Sequence, residues 1–305
     1  MFALKDISLS VEKGEVLTLM GPSGSGKTSL LRNICGLDFP DSGEVLVNGR
    51  NITTIAASRR NIGMIFQDLA IFPHMKVYDN IAYGLRNLRL GEKEVRDRVN
   101  DLADMLGISE LLNRFPGEIS GGQRQRVALG RSVAPSPDLL LLDEPLSSLD
   151  IQVRMSLRSE IREFASKAGL TMIYVTHDHA EGLYMADRAA IIFRGILGEI
   201  KKPSDLFLHP SNDEIAKFFG YNVITLGGER IAFFPSEFTI DSVSPDVSGT
   251  IESIGFEGEY YRIHMSSENF EKIQLKVSME EMTDSIRKGN RIGIKLTRPE
   301  VIEIR

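Results

Sequence analysis

Residues 16–28 read VLTLMGPSGSGKT. A short, mostly apolar run ending at Met20 enters Gly21-Pro22-Ser23-Gly24-Ser25-Gly26-Lys27-Thr28, and residues 29–35 continue in a helical pattern. The eight loop residues satisfy G-x-x-x-x-G-K-[ST] in full, and strand, loop and helix in that order are the context the motif needs. Glycines let successive backbone N–H groups turn inward around phosphate oxygens, and the helix start adds partial positive charge. Lys27 is expected to reach the β- and γ-phosphates of a nucleotide, and the Thr28 hydroxyl to ligate Mg²⁺. The bland alternative, a glycine-rich turn that binds nothing, leaves the agreement of motif and context unexplained.

A strand–loop–helix of this kind calls for an α/β sheet, and the chain up to about residue 195 supplies one. Apolar runs at 16–20, 62–66, 139–142, 172–175 and 189–193 read as strands buried on both faces of a mostly parallel sheet. Residues 45–47, followed by Asn48-Gly49, read as a hairpin edge, because that dipeptide tolerates the positive φ of a tight turn. A helix is expected over 151–168, where Val153, Leu157, Ile161, Phe164 and Ala168 recur at spacings of four and three. After Tyr221 the period drops to two. Tyr261, Ile263 and Met265 alternate with Tyr260, Arg262 and His264, and Ile292, Ile294 and Leu296 with Arg291, Gly293 and Lys295. The expectation is an α/β P-loop NTPase domain over 1–220, with a helical subdomain at about 78–135. A smaller all-β, OB-like domain over 221–305 follows a joint at 194–220 that holds a short helix near 212–219.

The run at 139–142 ends in Asp143-Glu144, so two carboxylates emerge from a buried strand. Such acids are costly unless they serve a cation or a hydrogen-bond network. Asp143 is placed to hold Mg²⁺ directly or through water, and Glu144 to polarise an attacking water as general base. A capped strand end would explain them in isolation, but the phosphate loop calls for a metal partner. Ser120-Gly121-Gly122-Gln123 opens a second helix running to about Ala134. Ser120 is a good N-cap, yet two following glycines weaken a helix by roughly 1 kcal/mol each, which suggests a close approach to the backbone. An exposed helix start can clamp a second phosphate, although Ser-Gly-Gly also makes ordinary loops.

The 305 residues suffice for two domains at roughly 150 residues each. Hydrophobic content of 42% and charged content of 26% are those of a soluble globular protein. The apolar runs are too short to span a bilayer, and no basic-then-apolar leader suggests export. A chain that stays in the cytoplasm, with any membrane spans supplied by other subunits, is the expectation. Cys35 is the one cysteine, which excludes an intramolecular disulfide and reads as a small core residue. The net charge of −6 leaves no basic stripe for nucleic acid.

The order Gly21 to Thr28, Gln67, Ser120 to Gln123, Asp143-Glu144, Leu149-Asp150 and His177 resembles the nucleotide-binding subunit of an ABC transporter, over residues 3–219. The resemblance implies that Gln67 is the Q-loop residue, touching Mg²⁺ or water and sensing membrane subunits. It implies that Ser120-Gly121-Gly122-Gln123 is the signature motif, Asp150 the D-loop acid, and His177 the switch histidine that contacts the γ-phosphate. Ile119 stands where leucine is usual, and Ser148 where alanine is usual. A metal site at His177-Asp178-His179 is disfavoured, because residues two apart do not share a helix face.

Ile71-Phe72-Pro73-His74-Met75, Val77-Tyr78-Asp79-Asn80-Ile81 and the β-rich tail resemble the importer branch, whose tail is a TOBE-type domain. Phe218-Phe219-Gly220-Tyr221-Asn222-Val223 resembles the junction into that domain, and Leu296-Thr297-Arg298-Pro299-Glu300 its closing strand. The branch implies a homodimer sandwiching two ATP molecules, two membrane-spanning permease subunits, and an external solute-binding protein acting indirectly. The place of work would be the cytoplasmic face of the cell membrane. The compact tail favours an inorganic oxyanion such as molybdate, tungstate or sulfate, or ferric iron, over a sugar or polyamine. A soluble ABC ATPase of repair or translation is the reading from another class, and usually carries two cassettes or a coiled-coil insertion. An exporter subunit is a third reading, opposed by the tail. In the family an aromatic about two dozen positions before the loop stacks on adenine, whereas 20 residues precede Gly21 here. Phe2 is too near the loop to match. Either the true start lies upstream or adenine is held without that platform.

Overall fold

The computed structural model describes residues 4–267 and 270–302. Phe2 lies outside the described residues. Contacts divide the chain into two units, Met1–Pro203 and Ser204–Arg305.

In the first unit, β1 (Val16–Met20) leads through the loop into α1 (Lys27–Cys35). A hairpin of β2 (Leu46–Val47) and β3 (Arg50–Asn51) follows, turned by Asn48 at φ 49° and Gly49 at φ 74°. Both turn residues have positive φ, as the Asn-Gly pair foretells. Then come β4 (Ile62–Ile65), three helices α2 (Val77–Asn87), α3 (Glu92–Met105) and α4 (Gly121–Val133), and β5 (Leu139–Asp143). The unit continues with α5 (Ile151–Lys167), β6 (Met172–Thr176), α6 (His179–Met185), β7 (Arg188–Phe193) and β8 (Ile196–Leu197). The sheet runs β4-β5-β6-β1-β7-β8, parallel throughout except for the last pair.

Alternate strand residues feed two cores, which is why the runs are apolar at every position. Leu17, Leu19, Leu141, Ile173 and Val175 pack with Leu30, Leu31, Ile34 and Cys35 of α1. Val16, Leu140, Leu142, Met172 and Tyr174 pack on the other face with residues of α2 to α5. Cys35 is 6% exposed and belongs to the first core, as expected. The strand order sends the C-terminal ends of β4, β5, β6 and β1 to one edge. Open α/β sheets bind ligands along that edge.

The second unit holds α7 (Pro203–Leu208), which begins at the division, and α8 (Asp213–Phe218), followed by strands only. These are β9 (Asn222–Leu226), β10 (Glu229–Phe233), β11 (Phe238–Ile240), β12 (Val247–Phe256), β13 (Tyr260–Ser267), β14 (Phe270–Ser278), β15 (Arg291–Leu296) and β16 (Glu300–Ile302). They form two antiparallel sheets, β16-β10-β9 and β11-β15-β12-β13-β14, around one core that includes Phe233, Ile251, Ile263, Met265, Leu275 and Ile294. The period-two reading of Ile263 and Met265 is met by their complete burial.

The contact division at 203/204 groups α7 and α8 with the strands that follow, and Phe207 on α7 stacks on Phe219, Tyr221 and Phe234, at centroid distances of 5.3, 5.7 and 5.8 Å. That aromatic cluster ties the two short helices to the β module. The expected closing strand over 296–300 is broken: β15 ends at Leu296 and β16 starts at Glu300, each in a different sheet. Pro299 lies in the break, where its missing N–H costs no ladder bond.

Candidate functional site at the carboxyl edge of the sheet

The phosphate loop leaves β1 at Gly21, whose φ is 149°. A Cβ there would sit 2.2 Å from the Ile192 carbonyl, so only glycine fits between loop and β7. Gly26, at φ 106°, is the N-cap of α1, and no side chain occupies that cap. The first N–H groups of a helix have no intrahelical partner, so the end of α1 stays open to an anion. Pro22, Ser23 and Gly24 are exposed, while Ser25 is 3% exposed with its Oγ unpartnered. An orphaned buried hydroxyl in a loop of this shape fits a phosphate oxygen as its partner.

Lys27 is 4% exposed and folds back along the loop, donating from Nζ to the carbonyls of Gly21 at 2.8 Å and Pro22 at 2.9 Å. An ammonium has three protons, so one donor remains. Glu144 Oε1 stands 3.9 Å from the same Nζ. Burial lowers the Lys27 pKa, and the carboxylates of Glu144 and Asp143 oppose that shift. Thr28 donates from Oγ1 to Asp143 Oδ1 at 3.1 Å. Asp143, 6% exposed, has its pKa raised by burial against the lowering effect of Thr28. A dication bound between Thr28 and Asp143 would reverse that penalty. Hydroxyl and carboxylate oxygens are hard donors that suit Mg²⁺. Among the described residues no group of three or more His, Cys, Asp or Glu could hold a metal. Thr28 and Asp143 supply two protein oxygens, and phosphate oxygens would complete the set.

Glu144 follows β5 with φ at 47°, a left-handed conformation that costs a non-glycine residue energy and is found at functional sites. Its backbone is held on both sides: the amide donates to Val175 at 2.9 Å, and the carbonyl accepts from Ser147 Oγ at 2.9 Å. His177, after β6, lies with Nδ1 2.8 Å from Glu144 Oε2. With Nδ1–H donating to that carboxylate, Nε2 is left as an acceptor. Thr28–Asp143 and Lys27–Glu144–His177 are thus two sets of contacts that the peptide bonds Lys27–Thr28 and Asp143–Glu144 join into one chain. Gln67 lies in an exposed turn two residues after β4, at the same edge.

The remaining predicted residues stand apart from that chain. Ser120 and Gln123 form a reciprocal capping box: Ser120 N donates to Gln123 Oε1 at 2.9 Å and Gln123 N to Ser120 Oγ at 3.3 Å. The close approach inferred from the glycines is real but comes from this chain's own side chains. A Cβ on Gly121 would meet Leu149 at 3.0 Å, and one on Gly122 would meet Val153 at 3.2 Å. Asp150 N-caps α5, its Oδ1 accepting from Val153 N at 3.0 Å. Sequence reasoning missed Ser147, Arg154, Asp178 and the buried pair Tyr174–Glu181. Asp178-x-x-Glu181 is itself a capping pattern, and Asp178 Oδ1 does accept from Glu181 N at 2.9 Å.

The family description "ABC transporter" matches residues 4–147. An Fe(3+) ions import ATP-binding protein FbpC of Rhizobium etli is 44% identical over 218 residues, 72% of this chain and 62% of that protein. A trehalose/maltose import ATP-binding protein MalK of Thermococcus litoralis is 43% identical, over 72% of this chain and 60% of that protein. The chain therefore spans less than two thirds of the length of these two relatives. A sulfate/thiosulfate import ATP-binding protein CysA of Pectobacterium atrosepticum is 35% identical over 304 residues, 96% of this chain and 92% of that protein. A dimeric ATP-binding cassette solved in a post-hydrolysis state with ADP and Pi superposes with a TM-score of 0.58 at 29% identity, covering 66% of this chain and 90% of that one. Near full-length likeness to CysA, on a parallel sheet that gathers these loops at one edge, makes this chain a member of the family of ABC transporter ATP-binding proteins.

Proposed function

We propose that the chain is the ATP-binding and ATP-hydrolysing subunit of an ABC importer, coupling hydrolysis to uptake of a small solute. The observation that carries this is the contact chain Thr28–Asp143 and Lys27–Glu144–His177 at the mouth of the phosphate loop. The loop amides and Lys27 hold the β- and γ-phosphates, with Thr28, Asp143 and Gln67 as the oxygen donors toward Mg²⁺. When bound, that ion neutralises charge on the transferring phosphoryl group. Glu144 takes a proton from the attacking water as its oxygen bonds to the γ-phosphorus. The bond from that phosphorus to the bridging oxygen breaks, leaving ADP and phosphate. His177 orients the Glu144 carboxylate through Nδ1–H and presents Nε2 toward the γ-phosphate side.

The exposed start of α4, with Ser120 to Gln123, then clamps ATP held by a second copy, and Asp150 lies at that interface. ATP acts as a ligand that favours the closed homodimer, and hydrolysis releases it. Two permease subunits and, indirectly, an external solute-binding protein complete the importer, with this chain at the cytoplasmic face of the membrane. Among the described residues no helix is long and apolar enough to cross a membrane. The β module from about residue 221 acts as a TOBE-like regulatory or dimer-stabilising domain. An inorganic oxyanion or ferric iron is the favoured solute, supported by the CysA and FbpC likenesses, while the MalK likeness keeps a sugar as the second reading.

Mg²⁺-dependent release of phosphate from ATP by the 305-residue chain tests the enzymatic part. Uptake of labelled sulfate, molybdate, Fe³⁺ and maltose by cells expressing the chain with its genomic neighbours tests the transport part. Absence of hydrolysis with and without permease subunits would reject the reading.

A further inference from the structure

The residues that touch phosphate in this reading do not hold themselves in place, and Arg154 stands where their supports meet. It projects from the first turn of α5, one turn beyond the Asp150 cap. Its Nη2 donates to the carbonyls of Leu149 at 3.0 Å and Ser147 at 3.4 Å, and its Nη1 lies 3.6 Å from Asp178 Oδ2. The other oxygen of Asp178 caps α6 by accepting from Glu181 N. Ser147 in turn binds the Glu144 carbonyl through its Oγ, at 2.9 Å. Asp178 adjoins His177, whose Nδ1 returns to Glu144 at 2.8 Å. The contacts close into a ring: Glu144, Ser147, Arg154, Asp178, His177 and back to Glu144.

We propose that Arg154 is a positioning residue that holds His177 against Glu144 by tying the 147–150 loop to the 177–178 turn. This rests on the proposed ATP hydrolysis for its catalytic consequence, though not for the tie itself. A guanidinium suits the task, because its planar fork donates in several fixed directions while an ammonium is a single point charge. As a mere ion pair it would matter little, since the side chains of Arg154 and Asp178 are 26% and 35% exposed, and such pairs are heavily screened. What distinguishes it is the pair of loop carbonyls bound by the same group. Arg158, one turn further along α5, anchors α6 independently, donating to the Ala180 carbonyl at 3.3 Å and lying 4.1 Å over the Tyr184 ring. Loss of Arg154 should therefore leave α6 docked and the chain folded, while the 177–178 turn drifts from Glu144.

The test uses the full chain with Arg154→Ala, Arg154→Lys, Asp178→Asn and the double variant Arg154→Ala/Asp178→Asn. ¹⁵N spectra of the His177 imidazole, without nucleotide, read the tie directly. Wild type should show an Nδ1–H tautomer, and Arg154→Ala a tautomer-averaged ring. In the hydrolysis assay, kcat should fall about tenfold or more in Arg154→Ala with KM within about twofold. Lysine should fail to restore it, and the double variant should be no worse than the worse single. An unchanged His177 spectrum in Arg154→Ala overturns the proposal, whatever the kinetics. So does a changed spectrum with unchanged kcat, or a loss seen only in KM or in melting temperature. A wild-type chain with no hydrolysis would reject the proposed function instead, leaving the tie to be decided by the spectrum.

Discussion

His177 Nδ1 lies 2.8 Å from Oε2 of Glu144, so the imidazole and the strand-end carboxylate are a hydrogen-bonded pair. A base oriented by a second side chain can be disabled without removing a phosphate contact. Glu144→Gln keeps an oxygen for His177 but cannot accept a proton from water. Hydrolysis should fall by roughly 10²- to 10⁴-fold, the usual worth of a general base, with ATP affinity nearly unchanged. A Mg-ATP-stabilised dimer should then accumulate in size-exclusion chromatography. Wild-type turnover in this variant would remove Glu144 from the role.

The Ser120 capping box, closed on its own helix, leaves the start of α4 with no phosphate assigned to it in its own chain. A Ser120→Arg chain should bind nucleotide as a monomer yet fail to hydrolyse it, and a Lys27→Ala chain should fail at binding. Mixed, they should recover about one working site per heterodimer, because one chain contributes an intact loop and the other an intact clamp. Activity of the mixture no higher than that of either parent would reject a clamp supplied in trans.

Much of this arrangement was legible in the residues. The strands showed because both faces are buried, and the phosphate loop because its glycines answer a steric demand, such as the Ile192 carbonyl beside Gly21. Asp143 and Glu144 showed because carboxylates at the end of an apolar run are anomalous. Arg154 did not, since an arginine on an amphipathic helix looks like any solvated charge until tertiary structure brings Asp178 to it. The break between Leu296 and Glu300 escaped for a similar reason. Only the sheet pairing reveals that the chain changes sheets there.

Phe72 lies in the segment between β4 and α2, its ring 4.7 Å from Tyr83 and 4.1 Å from the Arg131 guanidinium. Asn80, fully buried, clamps the loop from within: Phe72 N donates to its Oδ1 at 2.8 Å, and its Nδ2 donates to the Phe72, Met75 and Lys76 carbonyls at 3.1 Å. Ile71 packs toward the core, but Pro73 and His74 are exposed, so the loop is partly core and partly a preset surface. Phe72→Asp places a carboxylate beside Arg131, which limits the damage to the fold. The variant should stay folded, with melting lowered by no more than a few degrees, while association with permease subunits in pull-down is lost. Unfolding would instead mark Phe72 as a core residue.

Tyr174, completely buried on β6, donates from its hydroxyl to Glu181 Oε1 at 2.8 Å, behind the turn that carries His177. Burial raises the Glu181 pKa above its ordinary value of 4.5, against the hydrogen bonds from Tyr174 and Thr176 that favour the charged form. A folded-state value above the unfolded one means that the folded chain holds its proton to higher pH. Glu181 therefore stabilises the fold most below about 4.5, and that contribution is lost as pH rises through the raised value. Other carboxylates titrate in the same range, so the informative quantity is the difference from a variant. Glu181→Gln still accepts from Tyr174 but has no charge to bury. Its melting temperature relative to wild type should rise as pH climbs from about 4.5 through the raised Glu181 value and then level off. Tyr174→Phe should do the reverse, because it leaves a buried acceptor unpaired at about 1–3 kcal/mol. That corresponds to roughly 2–12 °C for a domain of this size, with less loss toward acid pH, where the raised pKa favours the protonated carboxyl. Melting curves at half-unit pH steps for the three proteins decide it. A difference between Glu181→Gln and wild type that does not change with pH would show that Glu181 keeps one ionisation state throughout, and the buried pair would then set no pH limit on the turn that holds His177.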